Sequence, residues 1–147
     1  VCLGNICRSP LAAGVFGQLA AEAGLGSRFE VDSAGTSSHH LGQRPSPAVR
    51  AAAAARGLTL SGTARQVGPR DFDAFDWLIA MDGDNLEALT AARPDRAGRV
   101  RRLLDFAPGH GHNVHDPYYD GDVARTVAQV EAGCRGLLAF LRAPERG

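Results

Sequence analysis

The sequence predicts an α/β fold: a single three-layer domain, spanning residues 1–147, in which a parallel sheet has helices on both faces. Short apolar runs alternate along the chain with longer segments of helical periodicity. Glycine and proline residues separate these segments. With 147 residues, the chain is also long enough to bury a hydrophobic core.

Apolar residues spaced three or four positions apart predict the helices. These cover residues 11–23, 48–56, 84–92 and 122–141. Gly24, Gly57 and Pro94 follow the first three helices, where such residues commonly mark an end. Cys134 lies in line with the apolar residues of the last helix, so we expect it to be a core residue.

Three short runs predict strands over residues 29–33, 77–81 and 100–104. The first alternates between apolar and polar side chains, and the second is apolar but too short for a helix. Only Val1 precedes the first loop, whereas a buried strand usually has about five or six residues. We therefore expect the natural chain to begin several residues earlier, so that most of its first strand is missing here.

Composition argues against several classes of protein. The formal net charge is zero, so general binding to nucleic acid or to anionic membranes is not expected. All 16 basic residues are arginine, so no lysine can act as a base or form a Schiff base. Three cysteines do not make a disulfide framework, and no apolar run is long enough to span a bilayer. We expect a cytoplasmic protein.

The first ten residues have the composition of a loop that binds an oxyanion. Gly4 and Asn5 tolerate positive φ, so successive backbone N–H groups can point inward. Pro10 suits the first turn of the following helix, whose N-terminus adds partial positive charge. A cysteine in such a place, here Cys2, is expected to be a thiolate near neutral pH. Arg8 supplies a planar fork that matches two phosphate oxygens.

A second motif, His115-Asp116-Pro117-Tyr118-Tyr119, lies far downstream. By itself, Asp-Pro is most simply read as a turn. Beside a thiol and a guanidinium, however, a carboxylic acid on a rigid turn is a candidate proton donor. The two aromatic residues that follow are candidates for the wall of a cleft, although packing elsewhere is the alternative.

Together, Cys-x5-Arg-Ser-Pro at residues 2–10 and Asp-Pro-Tyr at residues 116–118 resemble the low-molecular-weight protein tyrosine phosphatases. Three further segments match this family, at residues 32–36, 64–67 and 81–86, and the resemblance covers nearly the whole chain. It implies a four-stranded parallel sheet, with the strand before the first loop near the middle. It also implies metal-independent hydrolysis of phosphotyrosine through a cysteinyl-phosphate, with no cofactor.

Three residues are expected to carry out this reaction. Cys2 is the nucleophile, Arg8 binds the phosphate and stabilises the transition state, and Asp116 is the general acid. The same carboxylate then takes a proton from the water that hydrolyses the intermediate. The expected partners are phosphotyrosine-containing proteins or peptides, and inorganic phosphate or another oxyanion is expected to bind in the loop.

Other residues are expected to support the loop or line the cleft. The loop residues are Leu3, Gly4, Asn5, Ile6, Cys7, Ser9, Ser33 and Asp82, and the cleft residues are His39, Tyr118 and Tyr119. Loop amides would bind phosphate oxygens, and the Ser9 hydroxyl would donate to the Cys2 sulfur or cap the helix. The resemblance implies a hydrogen bond between Asn5 and Ser33. Asp82 either anchors the loop or starts a helix.

Three features leave alternatives open or depart from the family. Cys7 lies five positions from Cys2, where it either forms a reversible protective disulfide or is a small buried side chain. The family commonly has His where this chain has Gly62, so part of the loop-supporting network is expected to be absent or rebuilt. It often has Trp where this chain has His39, which would give the cleft a more polar lip.

Alternative functions are also considered. Protein arginine phosphatases share the loop but have Thr in place of Ile6, whose apolar side chain favours an aryl phosphate. A phosphotyrosine-binding module would need neither the thiolate nor the acid. Arsenate reductases need two further redox cysteines downstream, and only Cys134 follows the loop. The five histidines lack the spacing of a known zinc site, so no metal ion is expected.

Overall fold

The computed structural model describes residues 1–143 and has the predicted α/β architecture. The helices are α1 (Arg8–Glu22), α2 (Pro47–Ala55), α3 (Asp71–Ala74), α4 (Gly83–Ala92), α5 (Pro117–Asp120) and α6 (Val123–Arg142). The strands are β1 (Leu78–Ala80) and β2 (Val100–Arg102), and 3-10 turns cover Gly26–Arg28, Pro94–Arg99 and Leu103–Phe106. Within the described residues, no helix is both long enough and apolar enough to cross a membrane.

The two strands pair in parallel, with Leu78 opposite Val100. Alternate side chains of β1 enter two different hydrophobic clusters, because successive residues of a strand point to opposite faces. Leu78 and Ala80 pack with residues of α3 and α4, whereas Ile79 and the following Met81 pack with residues of α1 and α6. Helices therefore cover both faces of the sheet, as predicted.

Single parallel bridges extend this ladder towards the N-terminus of the chain. Cys2 pairs with Gly35, and Gly35 pairs with Gln66. On the other side, the backbone nitrogen of Val1 donates to the Ile79 carbonyl at 2.6 Å. Across the sheet, the backbone segments therefore lie in the order Gln66, Gly35, Cys2, β1 and β2. Cys2 lies near the middle, at the point where the backbone leaves the sheet for the first loop.

The prediction of a strand over residues 29–33 is wrong. Phe29 is extended, with φ −126° and ψ 132°, but extended backbone becomes a strand only when a partner lies within hydrogen-bonding reach. A groove of about 820 Å³ separates this segment from residues 75–79. The strand predicted over residues 100–104 ends at Arg102, after which the chain turns into 3-10 geometry. The described residues thus contain two strands, not the four that the resemblance implies.

The larger hydrophobic cluster joins α1, α2 and α6 on one face of the sheet. Its most deeply buried side chains include Leu11, Val15, Val49, Val130 and Cys134. The periodicity prediction for α1 and α6 is confirmed to within about one turn of each helix, with α1 beginning at Arg8 instead of residue 11. Burying these side chains is the main stabilising contribution of this face.

Close packing of α6 depends on two glycines that face the Leu103–Phe106 turn. A Cβ atom at Gly133 would lie 2.5 Å from the Leu103 side chain. A Cβ atom at Gly136 would overlap the Phe106 carbonyl oxygen, which belongs to the backbone and cannot rotate away. The helix can approach the turn this closely only because neither residue has a side chain.

Gly136→Ala is therefore expected to lower the free energy of unfolding by about 2 kcal/mol, because α6 must move away from the turn. The control is Gly17→Ala in α1, where a Cβ atom meets nothing within 4 Å. That change is expected to raise the free energy of unfolding by up to about 1 kcal/mol through helix propensity. Denaturant unfolding of both variants measures these changes. Equal effects of the two substitutions would contradict the packing argument.

Candidate active site

The first loop joins the middle of the sheet to α1. The helix begins at Arg8 without a hydrogen bond from a capping side chain, and Pro10 lies in its first turn. The free amide donors of a helix N-terminus attract anions. Asn5 has φ 58°, the left-handed conformation that curls the loop, as its sequence predicts. The loop therefore has the backbone shape expected for a site that holds an oxyanion.

The Cys2 sulfur lies at the centre of this loop and is buried. The Asn5 backbone N–H donates to it, with the nitrogen 3.2 Å from the sulfur. The Ser9 hydroxyl oxygen is 2.9 Å from the sulfur and also accepts a hydrogen bond from the Asn5 side chain at 2.8 Å. Because its oxygen accepts from Asn5, the hydroxyl can direct its proton to the sulfur. The sulfur is therefore held in place by two hydrogen-bonding groups of its own loop and helix.

The buried Asn5 side chain links the loop to two other segments. Its amide nitrogen also donates to the Ser33 hydroxyl at 2.9 Å, so the structure places this pair as the resemblance implies. Its amide oxygen accepts a hydrogen bond from the Arg65 backbone nitrogen at 3.0 Å. The loop-supporting network, which was expected to be absent or rebuilt in part because of Gly62, here includes the backbone amide of Arg65. Gly62 itself is exposed, with φ +86°.

Arg65 is in turn fixed by its guanidinium group. It forms a bidentate pair with Asp71, at 3.0 and 3.1 Å, and a further ion pair with Asp32. Burial alone would raise the pKa of Asp71, but hydrogen bonds from Arg65 and the Gly68 amide outweigh burial and lower it. Sequence analysis noted the Ala-Arg-Gln segment but not this role, since a supporting backbone amide leaves no signature in a residue type.

Arg8 is almost completely buried, with 4% of its surface exposed. One terminal nitrogen, Nη1, donates to the Asp82 carboxylate at 2.6 Å and to the Val114 carbonyl at 3.2 Å. The other, Nη2, donates to Asp116 at 3.4 Å. A guanidinium has five N–H donors, and these contacts use both donors of Nη1 and one of Nη2. Within residues 1–143, the Nε donor and the second Nη2 donor therefore remain for a ligand. Two such donors match two oxygens of a phosphate.

Asp82 both contacts Arg8 and starts a helix, so the two predicted roles coexist. One carboxylate oxygen contacts Arg8, and the other accepts from the Asn85 amide at 2.7 Å, capping α4. The Asn85 side chain accepts in return from the Asp82 amide at 3.2 Å. This capping box fixes the position of the carboxylate.

Asp116 lines the same pocket as the loop. It caps the short helix α5, where one carboxylate oxygen accepts from the Tyr118 amide at 3.0 Å. The other oxygen is the one that contacts Arg8. The Asp-Pro sequence thus does form a turn, and that turn directs its carboxylate towards the buried guanidinium. Cys2, Arg8 and Asp116 meet at one pocket although 108 positions separate Arg8 from Asp116.

The pocket has a volume of about 140 Å³. Its lining residues are Cys2, Leu3, Gly4, Ile6, Cys7, Arg8, Ser37, His39, His40, Asp116, Tyr118 and Tyr119. Cys2 and Arg8 are buried and Asp116 is half-buried, whereas Tyr118 and Tyr119 are 60% and 76% exposed. The tyrosine rings meet edge to face, with centroids 5.3 Å apart. The site therefore has a charged base and an aromatic rim.

His40 contributes to this rim, which sequence analysis assigned to His39. Both histidines line the pocket, but the His40 ring packs edge-on against Tyr118, with centroids 5.8 Å apart. It also covers Gly4, where a Cβ atom would lie 2.7 Å from the His40 ring. His39 is exposed. The two adjacent histidines were the available signal in the sequence, which does not tell which of them contacts the tyrosine.

Gly35 is a second residue whose role in the site was missed. A Cβ atom there would lie 2.7 Å from the Leu3 carbonyl oxygen and 3.2 Å from the Asn5 amide nitrogen. Gly35 thus allows the neighbouring chain segment to support the loop from directly beneath. Its place in the Ser-Ala-Gly-Thr run was the only indication in the sequence.

All three cysteines are free thiols. Burial is the main cause that raises the pKa of Cys7, whose thiol donates to the Ser46 hydroxyl at 3.4 Å. Burial also raises the pKa of Cys134 to about 12, consistent with its place in the core beside α1. The proposed disulfide between Cys2 and Cys7 stays a prediction.

Comparison with known proteins identifies the family. The family model described as low molecular weight phosphotyrosine protein phosphatase matches residues 1–146. Low molecular weight protein-tyrosine-phosphatase YfkJ from Bacillus subtilis is 39% identical over 145 residues, covering 97% of this chain and 93% of that protein. The crystal structure of YfkJ has a TM-score of 0.92 at 38% identity, with coverage of 96% and 91%.

A second solved structure is similar to a comparable degree. This is a protein tyrosine phosphatase from Entamoeba histolytica, with Hepes in the active site. Its TM-score is 0.90 at 33% identity, covering 95% of this chain and 92% of that one. The resemblance seen in the sequence is confirmed: the chain belongs to the family of low molecular weight phosphotyrosine protein phosphatases.

Proposed function

We propose that this chain is a protein-tyrosine phosphatase that hydrolyses phosphotyrosine through a cysteinyl-phosphate intermediate. The observation that carries the proposal is the meeting of a buried thiol, a buried guanidinium and a carboxyl group at one small pocket. The names of relatives at 39–40% identity support phosphotyrosine as the substrate. The Hepes in the Entamoeba structure carries a sulfonate, which supports oxyanion binding in such a pocket.

In the first step, the Cys2 sulfur attacks phosphorus and the bond from phosphorus to the phenolic oxygen breaks. Asp116 donates its proton to that oxygen, so that tyrosine leaves as a neutral phenol. The two remaining Arg8 donors and the loop amides bind the other phosphate oxygens, where negative charge spreads in the transition state. No metal ion is needed, because these groups supply the positive charge.

In the second step, water attacks the phosphorus of the intermediate and the bond from sulfur to phosphorus breaks. The Asp116 carboxylate accepts the proton of the attacking water. Cys2 leaves as a thiolate, and the Ser9 hydroxyl, 2.9 Å from the sulfur, stabilises it by donating a hydrogen bond. Inorganic phosphate is released, and the site returns to its starting protonation state.

The rim favours an aryl phosphate over an alkyl or guanidino one. Ile6 gives the pocket wall an apolar side chain, and the tyrosine rings offer surfaces on which a phenyl ring can stack. Ile6 stands where arginine phosphatases are expected to have Thr. Nothing in the geometry favours that alternative or a binding module without turnover, and the first experiment below distinguishes all three.

Further features of the chain belong to the same proposal. We propose a four-stranded parallel sheet. Its members, in order, are the backbone at Gly35, the backbone at Cys2, β1 and β2. The hydrogen bond from Val1 to Ile79 supports this order. Residues 1–147 would then form one phosphatase domain.

The three free cysteines support a cytoplasmic location.

Phosphate release from a phosphotyrosine peptide is expected to continue in EDTA and to fall by more than about a thousandfold in Cys2→Ser. Phosphoserine and phosphoarginine peptides, assayed in parallel, are expected to be poor substrates. The control is Cys134→Ser, which replaces a core thiol by a hydroxyl of similar shape and should keep turnover. Turnover of phosphoarginine alone would change the assigned substrate, and tight binding without turnover would identify a binding module.

Asp116→Asn is expected to lower kcat/KM for a phosphotyrosine peptide by about a hundredfold, because the phenol must then leave without a proton. For dinitrophenyl phosphate, whose leaving phenol is far more acidic, little change is expected. Asparagine caps helices as well as aspartate does, so α5 should persist. Asp122→Asn at the start of α6 is the matched control. Equal losses with both substrates would rule out the acid role.

Gly35→Ala is expected to lower kcat/KM for both aryl phosphates together by about a hundredfold, since the new methyl group displaces the loop that binds phosphate. Gly68→Ala serves as the control, because a Cβ atom at Gly68 meets nothing within 4 Å. Steady-state kinetics and the inhibition constant of inorganic phosphate report the change. Unaltered phosphate binding in Gly35→Ala would show that the loop tolerates the methyl group.

A further inference from the structure

The segment that brings Asp116 to the pocket is gripped by two side chains of α6. The Gln129 side-chain oxygen accepts a hydrogen bond from the His115 amide at 2.7 Å. The Thr126 hydroxyl donates to the His115 carbonyl at 2.8 Å. Both backbone groups of the residue directly before Asp116 are therefore bound by the same helix.

Gln129 also closes the loop that precedes His115. Its side-chain nitrogen donates to the carbonyls of His110 and Asn113, at 3.3 and 3.4 Å. This loop is exposed and contains Gly111 with φ +85°, so its sequence alone does not restrict it to one path. One amide side chain thus holds three backbone groups of this segment.

Other bonds fix the two residues before His115. The Asn113 side chain accepts from the Gly83 amide at 2.9 Å, and the Val114 amide donates to the Met81 carbonyl at 2.8 Å. Among the described residues, only the bonds from α6 reach the backbone of His115 itself.

The helix that supplies these side chains is itself well fixed. Thr126 and Gln129 are three positions apart and so lie on one face of α6. Thr126 is fully buried, and the next turns of α6 place Val130 and Cys134 in the core. Through Thr126 and Gln129, the position of the loop is fixed relative to the hydrophobic core. A contact of this kind can hold a side chain more tightly than the loop could by itself.

We infer that Thr126 and Gln129 are positioning residues for Asp116, which they act on through the backbone of His115. This inference rests on the proposed function, in which Asp116 is the general acid. Proton transfer requires its carboxyl oxygen within about 2.6–3.2 Å of the leaving oxygen. A displacement of about 1 Å can cost as much as a hundredfold in rate. Loosening His115 should therefore damage proton donation more than phosphate binding.

The test compares kcat/KM for two substrates that differ in their need for a proton. A phosphotyrosine peptide needs one, and dinitrophenyl phosphate does not; kcat/KM reports only steps up to release of the phenol. The main variant is Gln129→Met, which keeps size and helix propensity but removes all three hydrogen bonds. We expect kcat/KM to fall by about tenfold on phosphotyrosine and by less than about twofold on dinitrophenyl phosphate.

Two further variants separate positioning from packing. Thr126→Val, which loses the hydroxyl, is expected to show the same selective loss, and Thr126→Ser, which keeps it, to restore the native ratio of the two rates. Gln18→Met is the matched control, because Gln18 also bridges a helix to a backbone carbonyl, that of Arg56, but far from the pocket. It should leave the ratio unchanged. Turnover of dinitrophenyl phosphate shows in each case that the variant is folded.

Equal losses on both substrates in Gln129→Met, or no loss on either, would overturn the inference. So would a selective loss in Gln18→Met. Asp116→Asn, measured in the same series, separates this result from failure of the proposed function. If Asp116→Asn is selective and the α6 variants are not, the grip is structural only. If Asp116→Asn is itself not selective, the acid assignment is wrong and the positioning role falls with it.

Discussion

The buried positive charge of Arg8 requires negative partners, and this requirement arranges the rest of the site. A guanidinium removed from water is tolerated only when it is paired and hydrogen-bonded. Asp82 at the start of α4, the Val114 carbonyl and Asp116 at the start of α5 supply those partners. Removing one partner of such a pair typically costs about 3–5 kcal/mol. The paired charge therefore ties the loop to the starts of α4 and α5 and, through its two remaining donors, prepares the pocket for a phosphate.

The two halves of the pocket are held in different ways. The loop half is fixed by a polar network through Asn5 and by the close approach of Gly35. The half that contains Asp116 is fixed in two ways. Arg8, which Asp82 of α4 holds in place, contacts Asp116, and side chains of α6 bind the backbone of His115. The Tyr118 amide donates to Asp116, but the side chains of Tyr118 and Tyr119 are exposed. Chemistry is thus located on fixed groups, and substrate selection on side chains that are free to adapt.

Sequence reasoning succeeded where chemistry is tied to residue type. Cys2, Arg8 and Asp116 could be selected because thiol, guanidinium and carboxyl groups carry distinct chemistry, and α6 because its apolar spacing is long. It failed for residues 29–33, where alternation suggested a strand but no partner strand lies within reach. It also missed contacts made through the backbone, such as those of Arg65, because an amide N–H is common to almost every residue. Gln129 belongs to this second group.

The two carboxylates at Arg8 are held unequally, which suits them to different tasks. Asp82 contacts the guanidinium at 2.6 Å, and its second oxygen is fixed by the capping box of a ten-residue helix. Asp116 contacts it at 3.4 Å from a helix of only four residues. A long contact is easily exchanged for a new partner, such as the leaving oxygen of a substrate or a water molecule. Asp82 can therefore keep Arg8 in place while Asp116 carries the proton, provided that the loop before Asp116 stays where α6 holds it.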